Sequence, residues 1–130
     1  MFFNENNYDY NKLKIDLDAF RGFCICDISN IGKSVLGRDI PLIKIGKGRK
    51  NVCFIGAHHS LEWISSNLLM KFSYNILNAY ENQKRYLTFN IKELLDNVTL
   101  HIIPMLNPDG TDFVLHPKKH ALYVKKITGI

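Results

Sequence analysis

The sequence predicts an α/β fold in which helices flank a mixed β-sheet, as in an α/β/α sandwich. Segments with strand-like and helix-like apolar periods alternate along its 130 residues. Hydrophobic residues make up 46% and charged residues 22%, which is typical of a globular protein of one domain spanning residues 1–130. Since no apolar run reaches the roughly 18 residues that cross a bilayer, we expect no membrane span.

The chain begins with a helix and a strand. Residues 8–20 (YDYNKLKIDLDAF) place apolar side chains at helical spacing, and Gly22 is expected to end that helix. Residues 23–28 (FCICDI) predict a strand because they are short and apolar. The segment 29–39 (SNIGKSVLGRD) contains two glycines and predicts a loop.

Two further strands are predicted over residues 40–46 (IPLIKIG) and 51–57 (NVCFIGA). The segment between them, GKGRK, contains two glycines and is typical of a hairpin turn. We therefore expect these strands to be antiparallel neighbours.

The second half predicts two helices and one strongly apolar strand. Residues 62–80 and 91–97 have helical patterns, and residues 98–106 (VTLHIIPML) predict a strand whose two faces are both covered. The residues expected on the buried face of the longer helix are Ile64, Leu68, Leu69, Phe72, Ile76 and Leu77. Residues 107–110 (NPDG) predict a turn. Residues 112–116 predict a short extended piece, and residues 118–130 a final helix.

A candidate metal site lies where the strand 51–57 leads into the helix. His59 and Glu62 are three residues apart, and imidazole nitrogen and carboxylate oxygen are ligands that zinc prefers. His58 with Glu62 is the alternative pair. We favour His59 because consecutive residues on an extended segment face opposite ways. A helix start capped by Ser60, with Glu62 in the first turn, explains the same residues without a metal.

Other candidate motifs are weaker. Gly32-Lys33-Ser34 does not fit a phosphate-binding loop, because that motif needs glycine where Asp27 stands. His101 lies in an apolar strand and is expected to be buried and hydrogen-bonded. His116 and His120 lie in a segment that the pattern does not place, and they are either surface residues or ligands.

Charge and cysteine content limit the partners and the compartment. The net charge is +5, but the basic residues form small groups without interleaved aromatics, so we expect no nucleic-acid partner. The three cysteines are expected to be reduced and buried. The first residues lack the basic and apolar regions of a signal peptide, which predicts a cytoplasmic protein.

Three ordered motifs resemble those of the zinc carboxypeptidase family, the carboxypeptidase A-like metallopeptidases. They are the Gly-x-Ser-x-x-Gly-Arg segment at 32–38, His-x-x-Glu-Trp at 59–63 and Asn-Pro-Asp-Gly at 107–110. The segment Pro-Met-Leu-Asn-Pro-Asp-Gly is similar to that of the bacterial γ-D-glutamyl-diamino-acid peptidases. Those enzymes trim peptidoglycan stem peptides.

The resemblance implies a zinc peptidase that hydrolyses peptides, with His59 and Glu62 as the first two zinc ligands. The family's third ligand, its general base and its substrate-binding arginines come later than Ile130. The resemblance therefore assigns no catalytic or substrate-binding residue here. We expect a truncated, N-terminal part of the domain that is inactive alone, with the strand 98–106 exposed at one edge or incompletely covered. The alternative is a noncatalytic binding or assembly module derived from the fold.

Overall fold

A computed structural model describes residues 7–121. Its helices are α1 (Tyr10–Phe20), α2 (Trp63–Glu81), α3 (Ile91–Asn97) and α4 (Pro108–Leu115). Its strands are β1 (Cys26–Lys33), β2 (Asp39–Gly46), β3 (Lys50–Ile55), β4 (Arg85–Tyr86), β5 (Phe89–Asn90) and β6 (Val98–Ile103). Residues 117–121 are also helical, and the rest of the helix predicted over 118–130 lies outside the described residues.

Four strands form a mixed sheet in the order β1-β2-β6-β3, and a separate hairpin pairs β4 with β5. The β1–β2 and β2–β6 pairs are antiparallel, whereas β3 and β6 are parallel. One face of the sheet is covered by apolar side chains of α1, α2 and α3, which meet Ile43, Ile45, Leu100 and Ile102 in one core. The predicted mixed sheet flanked by helices is confirmed.

The predicted hairpin between residues 40–46 and 51–57 is wrong, because β6 lies between β2 and β3. The Lys47 amide donates to the Leu95 carbonyl at 3.0 Å, so the glycine-containing link runs along the segment that enters β6. A Cβ on Gly48 would lie 1.8 Å from the carbonyl carbon of Asn97. The glycines of this link therefore serve a close approach of two backbones rather than a hairpin turn.

The hairpin of the sheet lies earlier, between β1 and β2. Much of the segment predicted as a loop over residues 29–39 is strand, and only its centre turns. The Ser34 amide donates to the Arg38 carbonyl at 2.8 Å, and Gly37 has a φ of 82°. Sequence analysis missed this hairpin because most residues of β1 are exposed and several are polar. They therefore lack the apolar pattern of a buried strand.

Helix α1 agrees with the prediction, and Asp9 caps it by accepting a hydrogen bond from the Lys12 amide at 2.9 Å. Helix α2 also forms, but its predicted apolar face is wrong in the first half. Ile64 and Leu68 are exposed, while Ser66 and Ser73 are fully buried. The helix is thus rotated away from the orientation that its apolar spacing indicates.

The predicted Asn-Pro-Asp-Gly turn and the extended piece over 112–116 are also wrong, because both belong mainly to α4. The Asn107 side chain accepts a hydrogen bond from the Gly110 amide at 2.9 Å and caps the helix, with Pro108 in its first turn. Asparagine at the N-cap and proline at the first helical position are favoured starts of a helix. The same four residue types occur in turns, so the tetrapeptide alone does not separate the two structures.

The exposed apolar edge lies at β3 and not at β6. Strand β6 has a neighbour on each side, whereas β3 pairs only with β6 in the described part of the chain, and all six of its residues are exposed. The cysteines also differ from expectation, because Cys24 and Cys53 are exposed and Cys26 is half-buried, although all three are free. No helix within residues 7–121 is long and apolar enough to span a bilayer.

Candidate metal centre

The candidate site is the loop that joins β3 to α2. Strand β3 ends at Ile55, and the next two residues are buried before the exposed His58 and His59. Ala57 has a φ of 44°, a left-handed conformation that is uncommon for a residue with a Cβ. The chain turns sharply there, at the carboxyl end of a strand, which is where α/β proteins commonly place ligands.

His59 and Glu62 contact each other directly in this loop. Their Nδ1 and Oε1 atoms are 2.9 Å apart, and the His59 amide donates to Glu62 Oε2 at 3.3 Å. The hydrogen bonds from the His59 side chain and then from its amide lower the pKa of Glu62 below its usual range. The structure thus brings together the pair favoured from the sequence, in a solvent-exposed position with an ionised carboxylate.

A serine hydroxyl holds the two ends of this loop. Ser65 Oγ accepts a hydrogen bond from the Ala57 amide at 2.7 Å and donates to the Glu62 carbonyl at 2.6 Å. The N-cap of α2 is Glu62, which makes no side-chain capping bond. The alternative interpretation, in which Ser60 caps the helix, is therefore wrong, and the Glu62 carboxylate points to His59 instead.

The start of α4 supports the same loop from the other side. The amides of Leu106 and Asn107 donate to the carbonyls of Gly56 and Ala57, both at 3.0 Å. A Cβ on Gly110 would lie 2.2 Å from Ser60 Oγ, so the glycine lets the start of α4 pack closely against the loop. Two of the three sequence motifs are therefore in direct contact.

Arg38 joins the third motif to this assembly. Its Nη1 atom lies 2.6 Å from Asp109 Oδ1, and its Nη2 atom lies 2.7 Å from Asp112 Oδ2. Asp109 also accepts hydrogen bonds from Ser34 Oγ and from the Leu36 amide, each at 2.9 Å. The turn of the β1–β2 hairpin is thus fastened to the first turn of α4 by one largely buried ion-pair network, which we name the Arg38 network (Ser34, Leu36, Arg38, Asp109 and Asp112).

Electrostatics favour the charged form of both carboxylates in the Arg38 network. Burial by itself would raise the pKa of Asp109, but hydrogen bonds from the Leu36 amide, Arg38 and Ser34 outweigh burial and lower that pKa. Burial opposes ionisation of Asp112 in the same way, and a hydrogen bond from His120 and the charge of Arg38 lower its pKa. Both residues therefore act as anions that bind Arg38.

The remaining candidate histidines have carboxylate or amide partners. His120 is buried, with Nε2 2.8 Å from Asp112 Oδ2, and His116 Nε2 lies 3.0 Å from Asp9 Oδ2. His101 is half-buried rather than buried, and its Nε2 lies 2.8 Å from Asn51 Oδ1, so its predicted hydrogen-bonding is confirmed. Sequence analysis did not identify Asp112 as a partner of Arg38 and His120. The only sequence feature that points to it is its position, one helical turn after Pro108.

The His59–Glu62 pair fits part of a zinc site. His59 Nδ1 and Glu62 Oε1 are hydrogen-bonded to each other at 2.9 Å, and two ligands of a tetrahedral zinc lie about 3.3 Å apart, so a small separation of the two atoms and loss of the shared proton would let both bind one ion. Within residues 7–121, no third His, Cys, Asp or Glu joins them in a group that could hold a metal. The described residues therefore offer two candidate ligands, whereas a catalytic zinc usually has three from protein.

Comparison with known proteins identifies the family. The family model described as "Zinc carboxypeptidase" matches residues 24–125, and the chain therefore belongs to the zinc carboxypeptidase family. The gamma-D-glutamyl-L-diamino acid endopeptidase 1 of Lysinibacillus sphaericus is 33% identical over 126 residues, which cover 95% of this chain and 32% of that protein. The inactive metallocarboxypeptidase ECM14 of Paracoccidioides lutzii is 38% identical over 64% of this chain and 14% of its own length.

Solved structures show the same fold. A metallo-carboxypeptidase from Burkholderia cenocepacia has a TM-score of 0.64 at 24% identity, over 80% of this chain and 28% of that one. Bovine thrombin-activatable fibrinolysis inhibitor, solved with tick carboxypeptidase inhibitor, has a TM-score of 0.66 at 19% identity, over 86% and 35%. The chain thus has the fold of the N-terminal part of a carboxypeptidase domain, and it spans about a third or less of the curated relatives that it matches.

Proposed function

We propose that this chain is the zinc-binding N-terminal part of a metallocarboxypeptidase-type domain, and that His59 and Glu62 are its metal ligands. The observation that carries the proposal is the 2.9 Å approach of His59 Nδ1 to Glu62 Oε1 in a loop held at both ends. When bound in such a site, zinc polarises a carbonyl and lowers the pKa of water. Glu62 contributes a carboxylate that is already ionised, and Ser65 fixes the distance between the loop ends.

The proposed substrate class is a peptide, specifically a bacterial cell-wall stem peptide. Support comes from the Lysinibacillus sphaericus relative, whose name specifies an endopeptidase for a γ-D-glutamyl bond to a diamino acid. We propose further that residues 1–130 form one truncated domain without activity by itself. The described residues offer two metal ligands where three are usual, and one group of relatives is named inactive.

Zinc binding tests the ligand assignment directly. We expect the chain to bind Zn²⁺ weakly in competition with a chromophoric chelator, since two protein ligands leave most of the coordination to water. His59→Ala and Glu62→Ala are each expected to weaken binding by at least about tenfold, because each removes one of the two.

His101→Ala is the matched control, because the His101 ring is hydrogen-bonded to Asn51 in the sheet. This variant should bind zinc as tightly as the unaltered chain. His58→Ala separates the alternative pair from the favoured one. If zinc binding survives His59→Ala but is lost in His58→Ala, the ligand is His58 and not His59.

The activity of the chain alone is a second test. We expect no zinc-dependent hydrolysis of a γ-D-glutamyl-diaminopimelate peptide by the purified 130-residue chain, measured as release of the diamino acid. Since no third ligand joins the pair within residues 7–121 and no base is assigned, we expect weak metal binding and inefficient activation of water. Hydrolysis that a chelator abolishes and zinc restores would overturn the proposed inactivity.

A noncatalytic binding or assembly module is the second candidate function. One observation favours it, namely that β3 presents an unpaired and apolar strand edge in the described part of the chain. Such an edge is a surface on which another polypeptide can add a strand. An inactive chain that forms a defined complex would support this function.

A further inference from the structure

The two proposed metal ligands lie in a segment without regular structure. Residues 58–62 belong to neither β3 nor α2, and the side chains of His59 and Glu62 are 74% and 52% exposed. Exposed side chains lose conformational freedom when they bind one ion, and this loss reduces affinity unless the backbone already sets their spacing. The backbone contacts of this segment therefore decide how well the two ligands are prepared for a metal.

The first end of the segment is fixed at Ala57. This residue is fully buried and has a φ of 44°, a conformation that alanine rarely adopts. Such a backbone persists only where its surroundings hold it. The Ala57 carbonyl accepts a hydrogen bond from the Asn107 amide at 3.0 Å, and the Ala57 amide donates to Ser65 Oγ at 2.7 Å. Both backbone polar groups of Ala57 are thus bonded, one by the start of α4 and the other by a side chain of α2.

The second end of the segment is fixed at Glu62 by the same serine. Ser65 Oγ donates to the Glu62 carbonyl at 2.6 Å, and the Ser65 amide donates to that carbonyl at 2.9 Å. A hydroxyl can accept one hydrogen bond while it donates another, whereas a backbone amide only donates and a carbonyl only accepts. A single oxygen atom therefore joins the peptide group before the two histidines to the carbonyl of the carboxylate ligand.

We infer that Ser65 is a positioning residue for the metal pair (His59 and Glu62), and that its hydroxyl sets their spacing through hydrogen bonds to the backbone. The inference rests on the proposed function, because it treats these two residues as zinc ligands. Without the hydroxyl, the Ala57 amide loses this bond and the left-handed turn loses the support of α2. The backbone then relaxes toward a common conformation, which changes the direction in which His59 leaves the loop.

A second serine of α2 makes an ordinary hydrogen bond and provides a comparison. Ser73 is fully buried, and its Oγ donates to the carbonyl of Leu69, four residues earlier, at 2.7 Å. That bond lies within one helix and joins no other element. Ser65 instead links α2 to the segment that follows β3. The two serines therefore separate the positioning of ligands from a contribution to the helix alone.

Zinc affinity is the first readout, measured with Zn²⁺ alone in competition with a chromophoric chelator. Ser65→Ala is expected to weaken binding by about tenfold or more, as is typical when a residue that orients metal ligands is removed. Ser65→Thr keeps the hydroxyl and should bind within about twofold of the unaltered chain. Ser65→Val has the shape of threonine without the hydroxyl and should behave like Ser65→Ala. Ser73→Ala is the matched control and should leave zinc affinity unchanged.

Hydrogen exchange of two amides, measured by NMR, tests the inference without a metal. The Ala57 amide bonds directly to Ser65 Oγ, whereas the His59 amide donates to Glu62 Oε2 at 3.3 Å and reports the contact of the metal pair. In the zinc-free chain, Ser65→Ala and Ser65→Val are expected to speed the exchange of both amides by at least about threefold. Ser65→Thr should preserve both rates. A role confined to the turn at Ala57 would change only the first amide.

Three results would overturn the inference: a Ser65→Ala chain that binds zinc like the unaltered chain, an unchanged exchange rate of the His59 amide, or a Ser65→Thr chain no better than Ser65→Ala. If the variants without the hydroxyl do not fold by circular dichroism, Ser65 is a structural residue and the inference is also wrong. The metal assignment fails separately. If the unaltered chain binds no zinc while exchange at His59 still depends on the hydroxyl, the pair is not a zinc site but Ser65 does position it.

Discussion

Replacing Gly48 with alanine is expected to abolish or severely impair folding. A Cβ at this position would lie 1.8 Å from the carbonyl carbon of Asn97 and 1.9 Å from the amide nitrogen of Val98. Both atoms belong to the backbone, so no side-chain rotation relieves the contact. The link into β3 must then move away from the start of β6, which removes pairing that holds β3 in the sheet. We expect a loss of more than about 3 kcal/mol, a large part of a typical free energy of unfolding.

The measurement is the urea midpoint by circular dichroism, together with the soluble yield. Gly32→Ala is the matched control, because it is the same substitution in a strand with no atom within 4 Å of the added carbon. It should change the free energy of unfolding by less than about 0.5 kcal/mol. Similar midpoints for the two variants would show that the close approach at Gly48 is not a real constraint.

Arg38→Met is expected to have the second largest effect. The methionine keeps the length of the side chain but leaves Asp109 and Asp112 largely buried without the cation between them. Removing one partner of a buried ion pair costs about 3–5 kcal/mol, since the other charge stays desolvated. The β1–β2 turn also loses its link to Asp112, because Arg38 is the one side chain that hydrogen-bonds both carboxylates among the described residues, and only the Ser34 and Leu36 bonds to Asp109 then hold the turn to α4.

The pH dependence separates this mechanism from a simple packing loss. The folded-state pKa values of Asp109 and Asp112 are lowered, so their contribution to stability is full above the usual carboxyl range and is lost as the pH falls through the lowered values. The difference between the unaltered chain and Arg38→Met should therefore shrink below about pH 4. Arg21→Met removes an exposed pair with Asp18 and is the control, with an expected effect below about 1 kcal/mol at any pH.

The features that the sequence predicts well are those encoded within a few residues. Helix α1 follows from its apolar period and ends beside Gly22, and His59 with Glu62 stand three residues apart in one loop. The resemblance of three short motifs then indicates the family, which the comparison confirms. In each case the physical cause of the structure lies inside the segment that displays the pattern.

The features that sequence reasoning missed depend on distant partners. The local pattern around Gly48 favours a hairpin. In the structure, however, Lys50 at the start of β3 pairs with Val98 of β6, which lies 48 residues later in the chain. The Arg38–Asp109 pair spans 71 residues, and neither partner has a local signal of it. Ile64 and Leu68 have an apolar period that matches a core face, yet they are exposed because Ser66 and Ser73 occupy the buried side of α2.

The position of β6 between β2 and β3 also determines the order in which the sheet can assemble during synthesis. The β1–β2 hairpin needs only residues 26–46 and can form as soon as they leave the ribosome. Strand β3 is made next but has no partner until β6 emerges, so it waits through the synthesis of α2 and α3. Until then β3 lacks the neighbour that it has in the folded sheet, and its unpaired apolar residues can mispair or bind chaperones.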